Sequence, residues 1–506
     1  MNVRKIRPCW ISCVKRLDTM VDNRFCTPVP SGYVIFSGIL TVNRSVEAYF
    51  KDKKAWNSNM SKMSLNPNCL KNGLPQEIVL SEEGDYGRKD MQTLFYEGVV
   101  NSVYPSPHIR INKSYKYIRH YRIDINKDIP LFDKEVLMVS VKSIEFYILS
   151  EDRLLYTIET DVAGKTLEQI SLQNRVIRNV ECYQFGHRVD AENLCNLNDG
   201  FLKLFLPIIE IHNRYNKANL PTDDYSQVAL KNFAYDLFRG NKLSAYMAVQ
   251  LPEDCNLLAD SYTVDNLLYE LATCSKMGLM LEPQNKDYPD LQYYNELVKN
   301  NMFACYSNWK AIALLDSFVV VFKSGYNINS SWRACYFQYL YINALCIRSF
   351  LVIMNEKYKR KDMTESVESD FLDFDKAFNF QKVGYTFLTN LIYKKIRYGL
   401  QIDDELQVLE DKICKFSDKQ DRKNENNTNN ILFFLAILAL FSAFTDAFQL
   451  FKDIEVFKLF NINLEGNELL LVKHIYFIIL LLLIVLCVLY KVKNRIIHWI
   501  KSIFYL

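Results

Sequence analysis

Four polar side chains interrupt an otherwise apolar run near the C-terminus of this 506-residue chain. Ser442, Thr445, Asp446 and Gln449 stand at positions i, i+3, i+4 and i+7, so they share one face of a helix. An ionisable side chain is costly against lipid, so we expect this face to point into a helix bundle or a water-filled lumen. Several copies of Asp446 around a lumen would form a carboxylate ring that favours cations. The alternative is that Asp446 lies at the membrane surface and is merely solvated.

The same helix face continues toward the N-terminus with apolar side chains and then with amides. Leu438, Leu435 and Ile431 would form hydrophobic rings, and such a constriction can gate a pore by dewetting. Asn427 and Asn430 come just before them and would extend the lumen into the preceding helix. These five residues and the four polar ones make up the predicted pore lining.

A second stretch with chemical potential is 108–122, which is rich in basic and aromatic residues. Read as one strand, it places alternate side chains on one basic face: His108, Arg110, Asn112, Lys116, His120 and Arg122. Clustered Arg, Lys and His side chains form charge-assisted hydrogen bonds to phosphate oxygens, so this face predicts a contact surface for a phosphate or nucleotide ligand. Arg153 and Arg188 are rival candidates. The alternative is a solvated edge strand that its charges protect from aggregation.

Two apolar runs near the C-terminus predict two membrane spans, Ile431–Leu450 and Ile475–Tyr490. The first is about as long as the ~20 residues that a helix needs to cross a bilayer. The second is shorter, but Leu469–Val472 extends it, and Lys473 and Lys491 can snorkel to the two interfaces. The alternative, a pair of buried core helices, is disfavoured because buried helices rarely run this long without a polar interruption.

The charges that flank the two spans predict their orientation. Basic residues precede the first span and follow the second: Lys412, Lys415, Lys419, Arg422 and Lys423, then Lys491, Lys493, Arg495 and Lys501. The connecting segment mixes lysines with acidic residues. By the positive-inside rule both termini are therefore cytoplasmic, and we expect a multi-pass protein of the cell inner membrane.

The amino-acid composition limits which class of protein the residues before the first span can form. Hydrophobic residues make up 49% and charged residues 24%, which is ordinary for a folded body with a real core. The formal net charge of +3 is too close to zero to argue for nucleic acid as a direct partner. The thirteen cysteines include no CxxC pair, which predicts free thiols in a reducing compartment. No arrangement of residues points to catalysis, so we do not expect an enzyme.

Residue patterns predict an α/β cytoplasmic domain, a long stalk helix and two C-terminal transmembrane helices. Residues 1–200 are expected to form the α/β part, with strands at Tyr33–Val42, Val136–Ser150 and Leu154–Thr160. Residues 51–92 resemble a long loop or an insertion. Residues 201–372 are expected to be the helical part, because apolar positions recur there at helical spacing.

Two long helices are predicted before the membrane. Trp332–Lys357 is strongly apolar and is interpreted as a core helix. Residues 373–430 are interpreted as the stalk, which begins near Phe374 and presents a seam with steps of four and three. That seam contains Ile402, Leu406, Leu409, Ile413 and Phe416. Gly384, Gly399 and the junction Asn424–Asn430 are the places where the stalk could bend. The remaining residues, 431–506, form the two-span pore domain with its basic tail.

A cytoplasmic α/β body, a stalk helix that enters the first of two C-terminal spans, and a basic tail together resemble the CorA-type magnesium transporter family. The similarity is best from about Trp332 onward, where YFQYLYINAL and NLIYKKIRYGLQIDDEL resemble the divergent bacterial branch. This resemblance implies a homopentamer whose first spans line a central pore. The family's Gly-Met-Asn signature is missing, and FTDAFQLFKDI stands in its place. Magnesium selectivity is therefore not implied.

The leading functional hypothesis is a CorA-like oligomeric cation channel or transporter that its cytoplasmic domain gates. A body without the selectivity signature also resembles the CorA-like membrane effectors of type III CRISPR antiviral defence, which implies an adenine-nucleotide-type second messenger as ligand. The first alternative is a housekeeping magnesium transporter, with Mg²⁺ as permeant or regulatory ion and with Asp403, Asp404 and Glu405 as candidate ligands. The second alternative is a membrane-anchored sensor or enzyme.

Overall fold

The computed structural model describes residues 25–111, 116–132, 137–178, 197–216, 243–253, 263–323, 329–359 and 365–453, together with 474, 475, 478 and 482. The chain divides into two units, Met1–Glu410 and Asp411–Leu506. The first unit is a mixed α/β sheet domain. A long C-terminal helix begins at its end, as the sequence predicts.

One nine-stranded sheet organises the first unit, in the order β2-β3-β4-β5-β1-β6-β9-β8-β7. Its strands are β1 (Ser31–Thr41), β2 (Gln76–Glu77), β3 (Arg119–Pro130), β4 (Met138–Ser150), β5 (Arg153–Asp161), β6 (Ser244–Gln250), β7 (Met302–Phe303), β8 (Trp309–Leu314) and β9 (Ser317–Phe322). Neighbouring strands are antiparallel, except for the parallel pair β6 and β9.

The described helices cover both faces of this sheet and continue beyond it. The shorter ones are α1 (Lys53–Lys62), α2 (Arg88–Leu94), α3 (Glu97–Val103), α4 (Pro107–Ile111), α5 (Leu167–Arg178), α6 (Asp199–Leu202), α7 (Leu206–Asn216), α8 (Val264–Thr273), α9 (Leu291–Asn301) and α10 (Asn329–Ser331). They are followed by the π-helix π1 (Trp332–Tyr341), α11 (Ile342–Lys359), α12 (Glu365–Phe378), α13 (Phe387–Gly399) and α14 (Ile402–Asp453). Single 3₁₀ turns lie at Tyr49–Lys51, Pro67–Cys69, Lys203–Phe205 and Leu279–Leu281.

The predicted strands Tyr33–Val42, Val136–Ser150 and Leu154–Thr160 are confirmed as β1, β4 and β5. The sequence analysis missed β6 to β9, which add four strands within residues interpreted as helical. Residues 51–92 are not a continuous loop, because they contain α1, which Asp52 caps by accepting hydrogen bonds from the backbone of Lys54 and Ala55. The alternative interpretation, an insertion, stays a prediction.

The sheet has two chemically different faces because side chains alternate along each strand. One face is apolar and carries residues such as Val34, Phe36, Ile144 and Ile158, all of them fully buried. The opposite face carries polar and aromatic side chains, and π1 and α11 cover it. Trp332 is 2% exposed, so the prediction of a core helix at this position is confirmed.

The stalk helix begins later than the sequence predicts. The expected continuous helix from Phe374 is wrong, because the chain leaves helical geometry between α12 and α13, in a segment that contains Gly384, and again after Gly399, at Gln401, whose φ is +55°. Two of the three predicted bend positions therefore coincide with breaks in the helix. Between α12 and α13, the Asn390 side chain binds the backbone of Val383 (3.0 Å) and Gly384 (2.7 Å), which holds the non-helical segment in place. The uninterrupted helix is α14, and it continues through the asparagine-rich junction.

Gly399 is the last residue of α13 and lies directly against β8. A Cβ atom at this position would stand 2.7 Å from both the backbone carbon and the carbonyl oxygen of Ala313. Backbone atoms of a buried strand cannot move aside as the end of a side chain can. The absence of a side chain at this position therefore sets how closely α13 approaches the sheet.

We expect Gly399→Ala to lower the free energy of unfolding by about 1–3 kcal/mol, the usual cost of overpacking. The measurement is thermal unfolding of the purified protein in detergent. Gly98→Ala is the matched control, since the Cβ atom there meets only a Phe380 ring carbon at 3.5 Å. An unfolding temperature that is equal for both variants would contradict the assigned packing of α13.

Candidate functional site

Glu145 is the centre of a buried ion network on the polar face of the sheet. It lies in β4 and is 1% exposed. Its carboxylate accepts hydrogen bonds from His120 Nε2 (3.0 Å), Tyr147 OH (2.6 Å) and Arg122 Nη1 (3.1 Å). It also binds the Arg333 guanidinium. Ser143 Oγ lies 3.4 Å from the same carboxylate, so five donors from β3, β4 and π1 converge on it.

Arg333 connects the helical layer to two neighbouring strands. Besides Glu145 in β4, it binds Glu159 in β5 through Nε (2.9 Å) and Nη2 (2.6 Å). Ser143 Oγ donates to Glu159 as well (3.1 Å). Because π1 begins at Trp332, this arginine anchors the first turn of the π-helix to the sheet. Such short helices of wide turn are frequently found at functional sites.

Burial and ion pairing shift the pKa values of the network in defined directions. Burial alone raises the pKa of Glu145, but Arg333, His120 and Arg122 outweigh it and hold that pKa well below its usual range. Burial lowers the pKa of His120, although Glu145 opposes the shift. Burial and the charge of Glu145 raise the pKa of Tyr147. At neutral pH the network therefore contains an ionised Glu145 and an uncharged imidazole.

The hydrogen bonds of His120 are consistent with the neutral imidazole. Nε2 donates to Glu145, and Nδ1 stands 3.0 Å from Tyr104 OH, which can donate to it. The ring also stacks on Tyr147 with ring centroids 4.2 Å apart. The neutral tautomer with its proton on Nε2 thereby uses both of its nitrogens.

The network is one end of a polar row that crosses five strands. Strand register places Ser244, Ser37, Thr157, Glu145 and Arg122 side by side on β6, β1, β5, β4 and β3. Within the described residues, Ser37 Oγ and Thr157 Oγ1 are buried without a hydrogen-bond partner. Buried hydroxyl groups of this kind normally bind ordered water. This row is therefore the polar side of the interface between the sheet and π1.

The predicted basic strand 108–122 is wrong in its first half. His108 and Arg110 lie in α4, which Pro107 begins, and the strand β3 starts only at Arg119. Lys116 lies in the segment between them. Proline is favoured in the first turn of a helix, and this local preference outweighs the alternation of side chains.

Apart from His108, which is exposed on α4, each described basic residue of the predicted ligand surface faces a carboxylate or the core. Arg110 pairs with Glu77 (3.6 Å) and Lys116 pairs with Asp373 (3.5 Å), both at the surface. Arg122 binds Asp124 (2.6 Å) as well as Glu145, and His120 is buried. Arg153 is also buried, since its guanidinium lies over the rings of Phe350 and Phe374 and Nε binds Ser150. Asn112 and Arg188 lie outside the described residues.

The structure places all nine predicted pore-lining residues in the single helix α14. Asn427, Ile431, Leu435, Leu438, Ser442, Thr445 and Asp446 are exposed, and Asn430 is half exposed. Gln449 lies in the same helix. Thr445 Oγ1 donates to the backbone oxygens of Phe441 (3.1 Å) and Ser442 (2.7 Å), so its hydroxyl is satisfied within the helix. Asp446 has no such partner within the described residues.

Two described helices are long and apolar enough to cross a membrane. The first, Trp332–Asn355, is mostly buried in the sheet domain, as a core helix is. The second, Ile402–Ala443, has none of its apolar window buried. Leu432 is 56% exposed on one face of this helix, and Phe434 and Leu438, one turn apart on another face, are 61% and 65% exposed, so large apolar side chains are uncovered on more than one face. A helix of this kind is expected in a membrane.

The second predicted span is described only in part. Ile475, Ile478 and Leu482 are helical and exposed, while the rest of Ile475–Tyr490 and the segment before it lie outside the described residues. No group of three or more His, Cys, Asp or Glu side chains in the described part of the chain could hold a metal ion. A scan of family models, a search of curated proteins and a search of solved structures each return no match for this chain.

Sequence reasoning missed the residues that hold the ion network together. Glu145, Glu159 and Arg333 each interrupt an apolar segment with a charge. A charge in a buried element requires an opposite charge nearby, so these interruptions are a readable signal. Which strand or helix supplies the partner depends on the sheet order, and that order is not visible in the local pattern.

The lowered pKa of His120 predicts an acid-sensitive fold. In the unfolded chain this residue protonates near its ordinary pKa of about 6.5, whereas in the fold it stays neutral to lower pH. Below about pH 6.5 the unfolded state therefore binds more protons, and stability falls as the pH falls. Glu145 adds to this loss only below its unfolded pKa of about 4.3.

We expect His120→Gln to flatten the dependence of unfolding free energy on pH between about 7 and 5, and to lower the overall stability because bonds to Glu145 and Tyr104 are lost. Denaturant unfolding at a series of pH values measures both effects. His108→Gln, at an exposed position on α4, serves as the control and should keep the wild-type slope. If His120→Gln keeps that slope too, the buried neutral imidazole is wrong.

Proposed function

We propose that the protein is an oligomeric membrane cation channel, in which α14 lines the pore and the sheet domain, on the cytoplasmic side, controls opening. The observation that carries the proposal is the exposed apolar window of α14, combined with Asp446 as the single charged residue within 431–450. Lipid or neighbouring copies can cover the apolar side chains. Lipid cannot cover the Asp446 carboxylate without a large cost in free energy. This carboxylate therefore belongs on the side of the helix that faces water.

The proposal predicts a ring-shaped assembly around the Asp446 face. Helices that turn the same polar face to a common axis place Ser442, Thr445, Asp446 and Gln449 at the lumen. Leu438, Leu435 and Ile431 would then form the constriction on the cytoplasmic side. The resemblance of the segment from Trp332 onward to CorA-type proteins supports five copies and two spans per copy, with both termini in the cytoplasm.

A continuous series of contacts within the sheet domain supports control by that domain. Arg333 fixes π1 to the strands, and Asn343 of the adjoining α11 accepts a hydrogen bond from Tyr393 OH in α13 (2.7 Å). Arg397 of α13 binds Asp403 in the first turn of α14 (2.8 Å). A ligand that favours one arrangement of these helices over another would shift the position of the α14 start. The liposome experiment below measures whether a ligand opens the pore.

A nucleotide-type second messenger is the proposed activating ligand, on the strength of the resemblance to CorA-like defence effectors. The basic residues most able to meet a phosphate are Arg110 and Lys116, because their partners Glu77 and Asp373 are exposed to solvent. Surface ion pairs of this kind contribute about 0–1 kcal/mol each, so a phosphate group can replace the carboxylate at little cost. His120 and Arg153 are buried and bound elsewhere.

Ion flux from liposomes that contain the purified full-length protein tests the function. The arms are no ligand, cyclic oligoadenylates and adenylated small molecules, each at low and high magnesium concentration. Flux that appears only with a nucleotide is the expected result. Flux that occurs without a nucleotide and that magnesium suppresses would replace ligand gating with magnesium transport. An absence of flux in every arm, with the protein inserted, would contradict the channel.

Asp446 is the one charge on the proposed lumen face, so its replacement should change the selectivity between cations and anions. We expect Asp446→Asn to lower the preference for cations over anions, because a ring of amides has no net charge to attract cations. Reversal potentials in planar bilayers under a salt gradient measure this preference. The exposed Asp287→Asn in the sheet domain is the matched control. Equal reversal potentials for wild type and Asp446→Asn would remove Asp446 from the pore.

A further inference from the structure

The outer face of α13 carries an apolar and basic stripe that nothing in the described sheet domain covers. Phe387, Leu391, Lys394 and Tyr398 follow one another at helical spacing on this face. Phe387 is 76% exposed and Tyr398 is 51% exposed. The opposite face is buried against π1 and β8. An uncovered pair of large aromatic side chains on a helix is typical of a docking surface.

The first turns of α14 carry a surface of opposite charge. Asp404 and Val408 are exposed, Glu405 is half exposed, and the three positions lie on one face of the helix. Asp403 differs from them because it is bound to Arg397 of the same chain. Asp404 and Lys394 have no ion-pair partner within the described residues. We call 387–398 the α13 stripe and 404–408 the acidic surface.

We infer that the α13 stripe of one copy docks on the acidic surface of a second copy of this chain. This inference rests on the proposed function, in that it supplies the contact between neighbouring copies on the cytoplasmic side. Lys394 would meet Asp404 and Glu405, and the aromatic rings of Phe387 and Tyr398 would cover Val408. The α13 stripe supplies a positive charge and aromatic rings, and the acidic surface supplies negative charges and an exposed valine. Every copy carries both surfaces.

The two surfaces are different, so the contact joins copies head to tail. Contacts of that kind generate closed rings when the rotation between copies closes, and a channel with a lumen at its centre requires such a ring. Large aromatic anchors supply most of the binding energy in such contacts. The opposite charges mainly fix the register and exclude wrong pairings.

A membrane surface is the other binding partner to consider for the α13 stripe. Anionic lipid would suit Lys394 and the two rings, but it would repel the acidic surface only a few turns away. A second copy uses both surfaces at once, whereas lipid leaves the acidic one unexplained. The second copy is therefore the occupant that the charges favour.

Photo-crosslinking tests this contact directly in the full-length protein. The photoreactive amino acid p-benzoylphenylalanine replaces Phe387 or Tyr398, and Tyr306 serves as the control because it is also an exposed aromatic residue, at 60%. We expect irradiation in detergent or membranes to join copies at 387 and 398, with mass spectrometry placing the attachment within 402–410. Attachment to lipid, attachment elsewhere on the chain, or a yield no higher than at 306 would overturn the inference.

Charge reversal supplies the second measurement. Lys394→Glu or Asp404→Lys should each lower the crosslink yield from position 387 by roughly tenfold, and the double variant should restore it. Lys54→Glu, at an exposed position on α1, should leave the yield unchanged. Single variants without effect, or a double variant that fails to recover, would contradict the pairing.

These readouts do not require ion flux, so the two proposals can fail separately. Crosslinks within 402–410 in a protein that passes no ions would keep the interface and reject the channel. Nucleotide-dependent flux without such crosslinks would keep the channel and reject the interface.

Discussion

A carboxylate that is buried in the middle of a sheet needs an opposite charge beside it. The arrangement of side chains on the polar face of this sheet depends on that requirement. Glu145 must be paired, because an uncompensated buried charge is strongly destabilising. Removal of one partner of a buried ion pair costs about 3–5 kcal/mol of stability. Arg333 must therefore stand above β4 and β5, in contact with Glu159 as well. The position of one arginine thus fixes the first turn of π1 on the sheet.

The ion pairs of Arg333 position π1 on the sheet, and the packing of α13 on this layer positions the helices that come after it. The widened turns of π1 end where Ile342 begins α11, with a backbone hydrogen bond from Ile342 to Phe337. α13 then packs on this layer, and Gly399 allows its end to approach Ala313 closely. α14 begins at Ile402, after Leu400 and Gln401. The contacts of π1 and α13 therefore determine where in the sheet domain the long helix begins.

Sequence patterns predicted the elements with strong local signals and failed where distant partners decide. β1, β4 and β5 are long and rich in branched and aromatic residues, so they were recognised. β9 reads SFVVVF, a short apolar run that periodicity cannot separate from a buried helix, and it was missed. Residues 373–430 were predicted to form the stalk, but Ile392 and Ile396, which lie within that range, are buried in the sheet domain.

The site shows the same division between local and distant information. Alternation correctly put His120 and Arg122 on one face of a strand, because that follows from geometry alone. Their role as partners of Glu145 depends on β3 pairing with β4, and the sequence does not give that pairing. The helix face of Ser442, Thr445 and Asp446 could be predicted in full, since a single helix defines it.

On the proposed function, the surface pair of Lys116 and Asp373 is where a phosphate ligand would act on the pore helix. Asp373 lies in α12, and Asp375 of the same helix accepts a hydrogen bond from Asn379 (2.7 Å). Asn379 in turn accepts one from Arg397 (2.7 Å), the residue that holds Asp403 at the start of α14. A ligand that takes Lys116 from Asp373 leaves an acidic helix without one of its cations. On this proposal, we expect the contacts of Asn379 and Arg397 to couple a displacement of α12 to the first turn of α14. Glu145 and His120 are 1% and 2% exposed, so a ligand at the surface does not contact them directly.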